Sequence, residues 1–361
     1  MRRRAFLGTM AAGSMALGAD TPPLKLGMAG LVHGHAAGFL RRYQGRADLD
    51  LVGIAETDRA VASRYAKQFK IEPALMFDSL DAMLDRAKPE AVAAFTNTFD
   101  HLAVVEACAK RRIPVMMEKP LAVSVEHARA IAKAAESAKI AVLVNYETTW
   151  YASNRAAFAL AKEQKALGPI RKVVVRDGHR GPKEIGVQPE FLAWLTDPAK
   201  AGGGALFYFG CYGANLMTWL MDDERPRSVT ALTQHFKPEI YPEVDDEATV
   251  ILEYPRANAI LQASWNWPFD RKDMEIYGRT GSVKTSGLDG VVVRLEGNPE
   301  EQRKASPLLP PEDDFVRYLA AVVRGDRTPS GLSSLANNLV VTEILEAARK
   351  SAATGATVRL G

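Results

Sequence analysis

Between residues 24 and 146, short apolar runs alternate with stretches of helical period. The runs "LKLGMAG", "DLVGIAE", "AVAAFT", "VMMEK" and "AVLVNY" show little polar alternation, as strands buried on both faces do. Helical patterns at 58–69, 100–112 and 124–138 fall between them, and Ser124 ahead of its Ala-rich run is a good N-cap. Alternation of this kind predicts a parallel sheet with helices on both faces, occupying residues 23–146.

After Gly168-Pro169 the pattern changes. "IRKVVVRDGH", "SVTALTQHF", "EATVILEYP", "AILQASWNWP", "DMEIYGRTGSVKTS" and "GVVVRLEG" read as strands joined by short turns, so residues 147–361 should hold an antiparallel sheet. A helix at 215–221 precedes most of them, "GNPEEQRKASPLLPPED" reads as a loop, and helices are expected at 313–324 and 332–353. The fold class is α/β, in two units.

Residues 1–19 stand outside this scheme. They combine a basic start, a weakly apolar middle and small residues near Ala16, Gly18 and Ala19. Arg3-Arg4-Ala5-Phe6-Leu7 resembles the twin-arginine export motif, so the mature protein is expected in the periplasm or secreted. The segment carries three arginines and no acid, and its removal takes the formal charge from +3 to 0. A neutral chain has no electrostatic attraction for nucleic acid or an acidic membrane, and no other apolar run is long enough to span a bilayer. Cys108 and Cys211 are too few for a disulfide framework and are expected as free thiols.

The chemistry begins at "KLGMAGLVHGHAAGFLRRY". Gly30 ends the first strand where a tight turn is needed. Val32 and His35 interrupt the usual glycine spacing, yet the helix that follows would still offer free N–H groups to a pyrophosphate. His33 or His35 could add a hydrogen bond. Gly34 and Gly38 would share a helix face and let it approach the sheet. Glu56, at the end of the second strand, is placed to hold a ribose diol and to favour NAD over NADP. The turn alone leaves a domain without nucleotide open. His33 and His35 have no third ligand at suggestive spacing, so no metal is expected.

"AAFTNTFDHLAVVEACAKRRIPVMMEKPLAVSVEHA", "GGGALFYFGCYGANLMTWL" and "LVVTEILEAARKSAATGATVRL" follow one another along the chain. As an ordered set they resemble the Gfo/Idh/MocA oxidoreductase family, whose hallmark Glu-Lys-Pro is here Glu118-Lys119-Pro120. The resemblance implies an N-terminal Rossmann domain and a C-terminal α/β domain with a large open, mostly antiparallel sheet, through which the chain would form homo-oligomers. It also implies tightly bound NAD near Gly30, Val32, His33, Glu56, Thr96, His101, Glu118 and Lys119, with a carbohydrate against the second domain. Where many members carry an Asp/His pair this chain has Tyr208 and Tyr212, with Asn215 at a third motif position. That departure points to a phenol mechanism: Lys119 would favour the Tyr212 phenolate and stabilise a developing alkoxide.

His179 and Arg180, after a strand, are candidates to bind sugar hydroxyls. One of Trp150, Trp194, Trp265 and Trp267 could stack on a sugar ring, while Cys211 is expected only to pack. Three functions stay open: a secreted sugar, polyol or glycoside oxidoreductase, a glycoside hydrolase or lyase that oxidises transiently with bound NAD, and a non-catalytic sugar-binding protein.

Overall fold

A computed structural model describes residues 22–361, so residues 1–19, where an export signal is expected, lie outside the described residues. The first sheet has six strands: β1 (Leu24–Ala29), β2 (Leu49–Ala55), β3 (Met76–Phe77), β4 (Ala91–Ala94), β5 (Val115–Glu118) and β6 (Val142–Asn145). They are all parallel, in the order β3-β2-β1-β4-β5-β6. This is the doubly wound order, with the first strand of the chain at the centre. Leu26 and Met28 of β1 are fully buried, which explains why that strand reads as continuous apolar sequence. Its helices start where the sequence places them: Asp58 caps Arg59–Phe69, and the Ser124 hydroxyl accepts from the His127 amide at the head of Val125–Ala138. Such a cap contributes about 1 kcal/mol.

The second sheet has nine strands: β7 (Ile170–Gly178), β8 (Ser228–Gln234), β9 (Glu247–Glu253), β10 (Asn258–Ser264), β11 (Arg271–Gly278), β12 (Gly281–Ser286), β13 (Gly290–Leu295), β14 (Glu301–Lys304) and β15 (Val358–Arg359). All neighbours are antiparallel except β7 and β10, which run parallel at the centre. The stretch from Asp273 to Ser286 is a hairpin, since Arg279 and Thr280 turn the chain between β11 and β12. Part of the expected loop 297–313 forms β14, an edge strand with every residue exposed and hence no apolar signal. Helices Gly210–Leu220 and Leu335–Thr354 pack together, the latter also over β8. Helix Phe315–Val323 returns to the first sheet, where Phe315 meets Phe39 at 5.3 Å between ring centres. Cys108 and Cys211 are buried free thiols.

Candidate active site

Ligands of a doubly wound sheet bind beyond the strand ends where the order reverses, here between β1 and β4. Gly30 follows β1 with φ of +79°. A Cβ there would lie 2.8 Å from Thr96 Cγ2 and 3.1 Å from the Phe95 carbonyl oxygen, so no side chain fits between turn and β4. The amides of Gly30, Leu31, His33 and His35 donate to Ala55 O, Glu56 Oε2, Phe95 O and His33 Nδ1. Among the described residues, those of Val32 and Gly34 have no acceptor.

His33 is buried beneath Phe191 and Trp194. Because Nδ1 accepts the His35 amide at 3.1 Å, the proton of the neutral ring sits on Nε2, and that N–H has no partner among the described residues. Burial holds this imidazole well below its usual pKa, so it is neutral. Two open amides and an orphaned N–H on one turn, next to a helix N-terminus, form a donor set suited to a pyrophosphate. Glu56 lies at the end of β2, its carboxylate accepting from Leu31 N at 2.7 Å and Asp58 N at 2.9 Å. Each oxygen keeps a lone pair for a further donor such as a ribose hydroxyl. The residues therefore fit a dinucleotide.

The two helix glycines act differently from expectation. A Cβ on Gly34 would stand 2.9 Å from Phe191 Cδ1, so its smallness admits helix Pro189–Leu195 of the second unit rather than the sheet. Gly38 has nothing within 4 Å and makes no close approach. The same helix is tied to the turn by Trp194, whose indole N–H donates to Val32 O at 3.1 Å.

Folding brings a third polar group to the histidine pair that spacing could not reveal. Potential ligand atoms of His33, His35 and Glu118 lie within 4.8 Å of one another. Their chemistry argues against a metal held by all three, because His33 Nδ1 spends its lone pair on the His35 amide and Nε2 carries the proton. Glu118 Oε2 lies 2.9 Å from His35 Nδ1, and Oε1 accepts from Asn145 Nδ2 at 2.8 Å. Asn145 in turn accepts from the Trp150 indole at 2.9 Å. Burial raises the Glu118 carboxyl, but the charge and hydrogen bond of His35 and the Asn145 amide outweigh it and bring it down to about 2.

Lys119, joined by a cis peptide to Pro120, is 1% exposed, and burial pushes its ammonium down to about 8. Its Nζ donates to the Tyr208 carbonyl at 3.0 Å and lies 3.3 Å from the Tyr208 ring centre and 5.1 Å from that of Tyr212. The ammonium thus faces aromatic rings, where cation–π attraction acts. Burial drives both phenols above their ordinary value, with the carboxylates Glu118 and Glu147 adding to the shift. Both directions run against a phenolate at Tyr212, whose ring stands beside Lys119 in the site.

Three further candidates are corrected. His101 is wholly buried and its Nδ1 bonds Leu121 O at 3.1 Å, so it holds the Lys119–Pro120 loop from beneath. Asn215 is turned to the C-terminal helices, its amide donating to Leu332 O and Asn337 Oδ1. Arg180 is exposed, outside the cavity lining, and only its carbonyl is engaged, by Lys237. His179 does line a cavity of about 820 Å³, a size that admits a sugar or a short glycoside. Its Nδ1 accepts the Gly181 amide, leaving Nε2–H as a donor, and burial holds the ring down to about 4.

Glu147, Tyr151, Phe209, Phe269 and Lys272 share that cavity. Lys272 ion-pairs with Glu147 and lies 5.3 Å from the Tyr212 ring centre. Sequence reasoning missed both, and it missed the buried Asp177 on β7. The available signal was strand alternation: Val173, Val175 and Asp177 point the same way, and Asp177 stands opposite Lys272.

Fold and site together describe a two-domain oxidoreductase architecture, and comparison with known proteins agrees. Residues 24–146 match the model of the oxidoreductase family NAD-binding Rossmann fold, and residues 156–284 match that of the GFO/IDH/MocA C-terminal domain. The chain belongs to the Gfo/Idh/MocA oxidoreductase family. It is 27% identical to D-apiose dehydrogenase of Rhizobium rhizogenes over 74% of this chain and 78% of that protein. With D-xylose 1-dehydrogenase (NADP(+)) 2 of Haloferax volcanii it shares 26% over 86% of this chain and 92% of the other. Aldose-aldose oxidoreductase from Caulobacter crescentus, complexed with glycerol, superposes with a TM-score of 0.78 at 24% identity, covering 93% of this chain and all of that one. An inositol dehydrogenase homolog from Azotobacter vinelandii, complexed with NAD+, gives 0.80 at 21%, covering 94% and 98%. These likenesses establish the fold.

Proposed function

We propose that this protein is a nicotinamide-dependent oxidoreductase acting on a carbinol of a sugar, polyol or glycoside. The observation that carries the proposal is Lys119, a fully buried cation just after β5 whose ammonium shares the Tyr212 ring with Lys272 of the cavity lining, at 5.1 and 5.3 Å from its centre. The bound nicotinamide would supply the hydride acceptor or donor. Lys119 would hold the reacting oxygen and stabilise negative charge as it develops, in a dry site where such charge is costly elsewhere. The His179 N–H would orient a neighbouring hydroxyl. Val32 N–H, Gly34 N–H and His33 Nε2–H would bind the pyrophosphate, with Glu56 on a ribose diol. NAD is the preferred cofactor, because a 2′-phosphate would meet the Glu56 carboxylate. Retention of NAD on the protein fits the way Trp194 and Phe191 cover the turn.

Export of the folded holoprotein through the twin-arginine route is part of the same proposal and rests on Arg3-Arg4. So is association through the second sheet, whose outer face exposes Leu232 and Ile251 on β8 and β9. No helix among the described residues is long and apolar enough to cross a membrane. Incubating the holoprotein with a panel of sugars and glycosides tests the chemistry. A carbonyl product with reduced nicotinamide supports net oxidation. A cleaved glycoside with unchanged redox state would replace it by oxidation-assisted cleavage.

A further inference from the structure

If Tyr212 is not the base, the carbinol proton needs another acceptor. Most titratable groups around Lys119 are unsuited. The phenols Tyr208 and Tyr212 are held protonated by burial, and burial likewise pushes the Cys211 thiol up to about 12. Glu118 is committed to His35 and Asn145, Glu147 to Lys272 and Tyr151, and the free nitrogen of His179 carries a proton. Lys119 is already a donor to Tyr208.

Asp177 differs from all of these. It lies near the C-terminal end of β7, 2% exposed, on the inner face that packs against helix Gly210–Leu220. Among the described residues its buried Oδ1 has no hydrogen-bond partner. A buried, unpaired carboxyl is costly, and such a group persists where a ligand completes it or chemistry uses it. Its charged and titratable surroundings come from every packed element: Lys119 after β5, Glu147 and Tyr151 after β6, Cys211 on the helix, and Lys272 and Asp273 on β11. Its strand neighbours Gly178 and His179 line the cavity.

We propose that Asp177 is the catalytic base of the oxidation and the acid of the reverse reaction, working on the oxygen that Lys119 binds. The proposal rests on the oxidoreductase assignment above. In the forward direction the carbinol O–H bond breaks and its proton passes to a carboxylate oxygen of Asp177. The freed oxygen pair forms the C=O bond, and the C–H electron pair leaves to the nicotinamide oxidant already named. Burial, with Asp273 and Glu147 adding to it, raises the Asp177 carboxyl well above its ordinary range against the pull of Lys272 and Lys119. Raising its proton affinity strengthens the carboxylate as a base, and the two ammonium groups favour its ionised form.

Asp177→Asn removes the proton acceptor at almost constant volume. Turnover should fall by roughly 100-fold or more while dinucleotide affinity, read by titration, stays within about threefold. The acidic limb of the kcat/KM profile should disappear in this variant and reappear, displaced, in Asp177→Glu. Independently of activity, infrared difference spectra of the wild type minus Asp177→Asn taken across pH should show the stretch of one protonated carboxyl persisting above the range of ordinary carboxyls. Turnover of Asp177→Asn within about tenfold of wild type with its acidic limb intact would overturn the proposal, as would absence of that band. Should Asp177→Asn fail to fold, an unmoved limb in Asp177→Glu overturns it equally. A wild type that binds no dinucleotide would overturn the oxidoreductase assignment and this proposal with it, an outcome the titration reads separately.

Discussion

The Lys119 ammonium lies 3.3 Å from the centre of the Tyr208 ring and gives its hydrogen bond to the Tyr208 carbonyl, 3.0 Å away. A cation held on ring faces and a backbone oxygen is positioned by neutral groups. It is free to exchange the carbonyl for a substrate oxygen of rising charge.

Lys119→Met should therefore lower turnover by roughly 100-fold or more, since it deletes the charge that stabilises the alkoxide. Tyr212→Phe should cost less than about tenfold, because the Lys119 hydrogen bond goes to the Tyr208 carbonyl and the ring that faces Lys119 is kept. In the wild type kcat/KM should decline on the alkaline side with a midpoint near 8, as Lys119 loses its charge. Steady-state kinetics across pH checks all three. A Tyr212→Phe loss as large as that of Lys119→Met would restore the phenol mechanism.

Three buried imidazoles make stability pH-dependent. His101 and His179 are held at about 4 and His33 well below its ordinary 6.5, in each case by burial. Between those values and 6.5 the unfolded chain binds more protons than the folded one, so stability rises with pH and is lost as pH falls. The loss is on the order of 1–2 kcal/mol each for His101 and His179 at pH 5, and His33 acts in the same direction. Thermal unfolding should show a melting temperature several degrees lower at pH 5 than at pH 7, and His101→Asn should flatten the difference. A flat profile in the wild type would mean that these rings are charged or exposed.

Glu56→Ser should weaken NAD and relax discrimination against NADP. It removes the carboxylate from the end of β2 and frees the Leu31 amide for a phosphate oxygen. Titration of stripped wild type and variant gives the ratio. Wild-type protein that binds NADP more tightly than NAD would refute the role given to Glu56.

The parts of the site that were legible in the sequence are local. Gly30 follows a strand directly, Glu56 ends the next, and Lys119 sits in a three-residue motif. Asp177 and Lys272 escaped because their proximity is made by β7–β11 register between distant segments. Asn215 misled for the converse reason. It lies three residues after Tyr212, but Leu332 and Asn337, far along the chain, decide what its side chain meets. In the fold, β3 and β14 went unread because a two-residue strand and a fully exposed edge carry no usable periodicity.

Replacing Arg3 and Arg4 together by lysine should leave the precursor in the cytoplasm. The twin-arginine route reads that pair, and exporting a folded protein lets it carry a cofactor that is scarce outside. Fractionation with an antibody against the mature chain decides it. Undiminished export of the double variant would contradict the route.

The central claim is that the interrupted glycine turn holds a dinucleotide. Its most direct test is calorimetric titration of stripped protein with NAD, wild type beside Gly30→Val. The left-handed φ of Gly30 and the 2.8 Å separation from Thr96 leave no place for a valine side chain. The wild type should bind one dinucleotide per chain and the variant none. A wild type that binds neither NAD nor NADP at millimolar concentration would contradict the account and leave a carbohydrate-binding protein in its place.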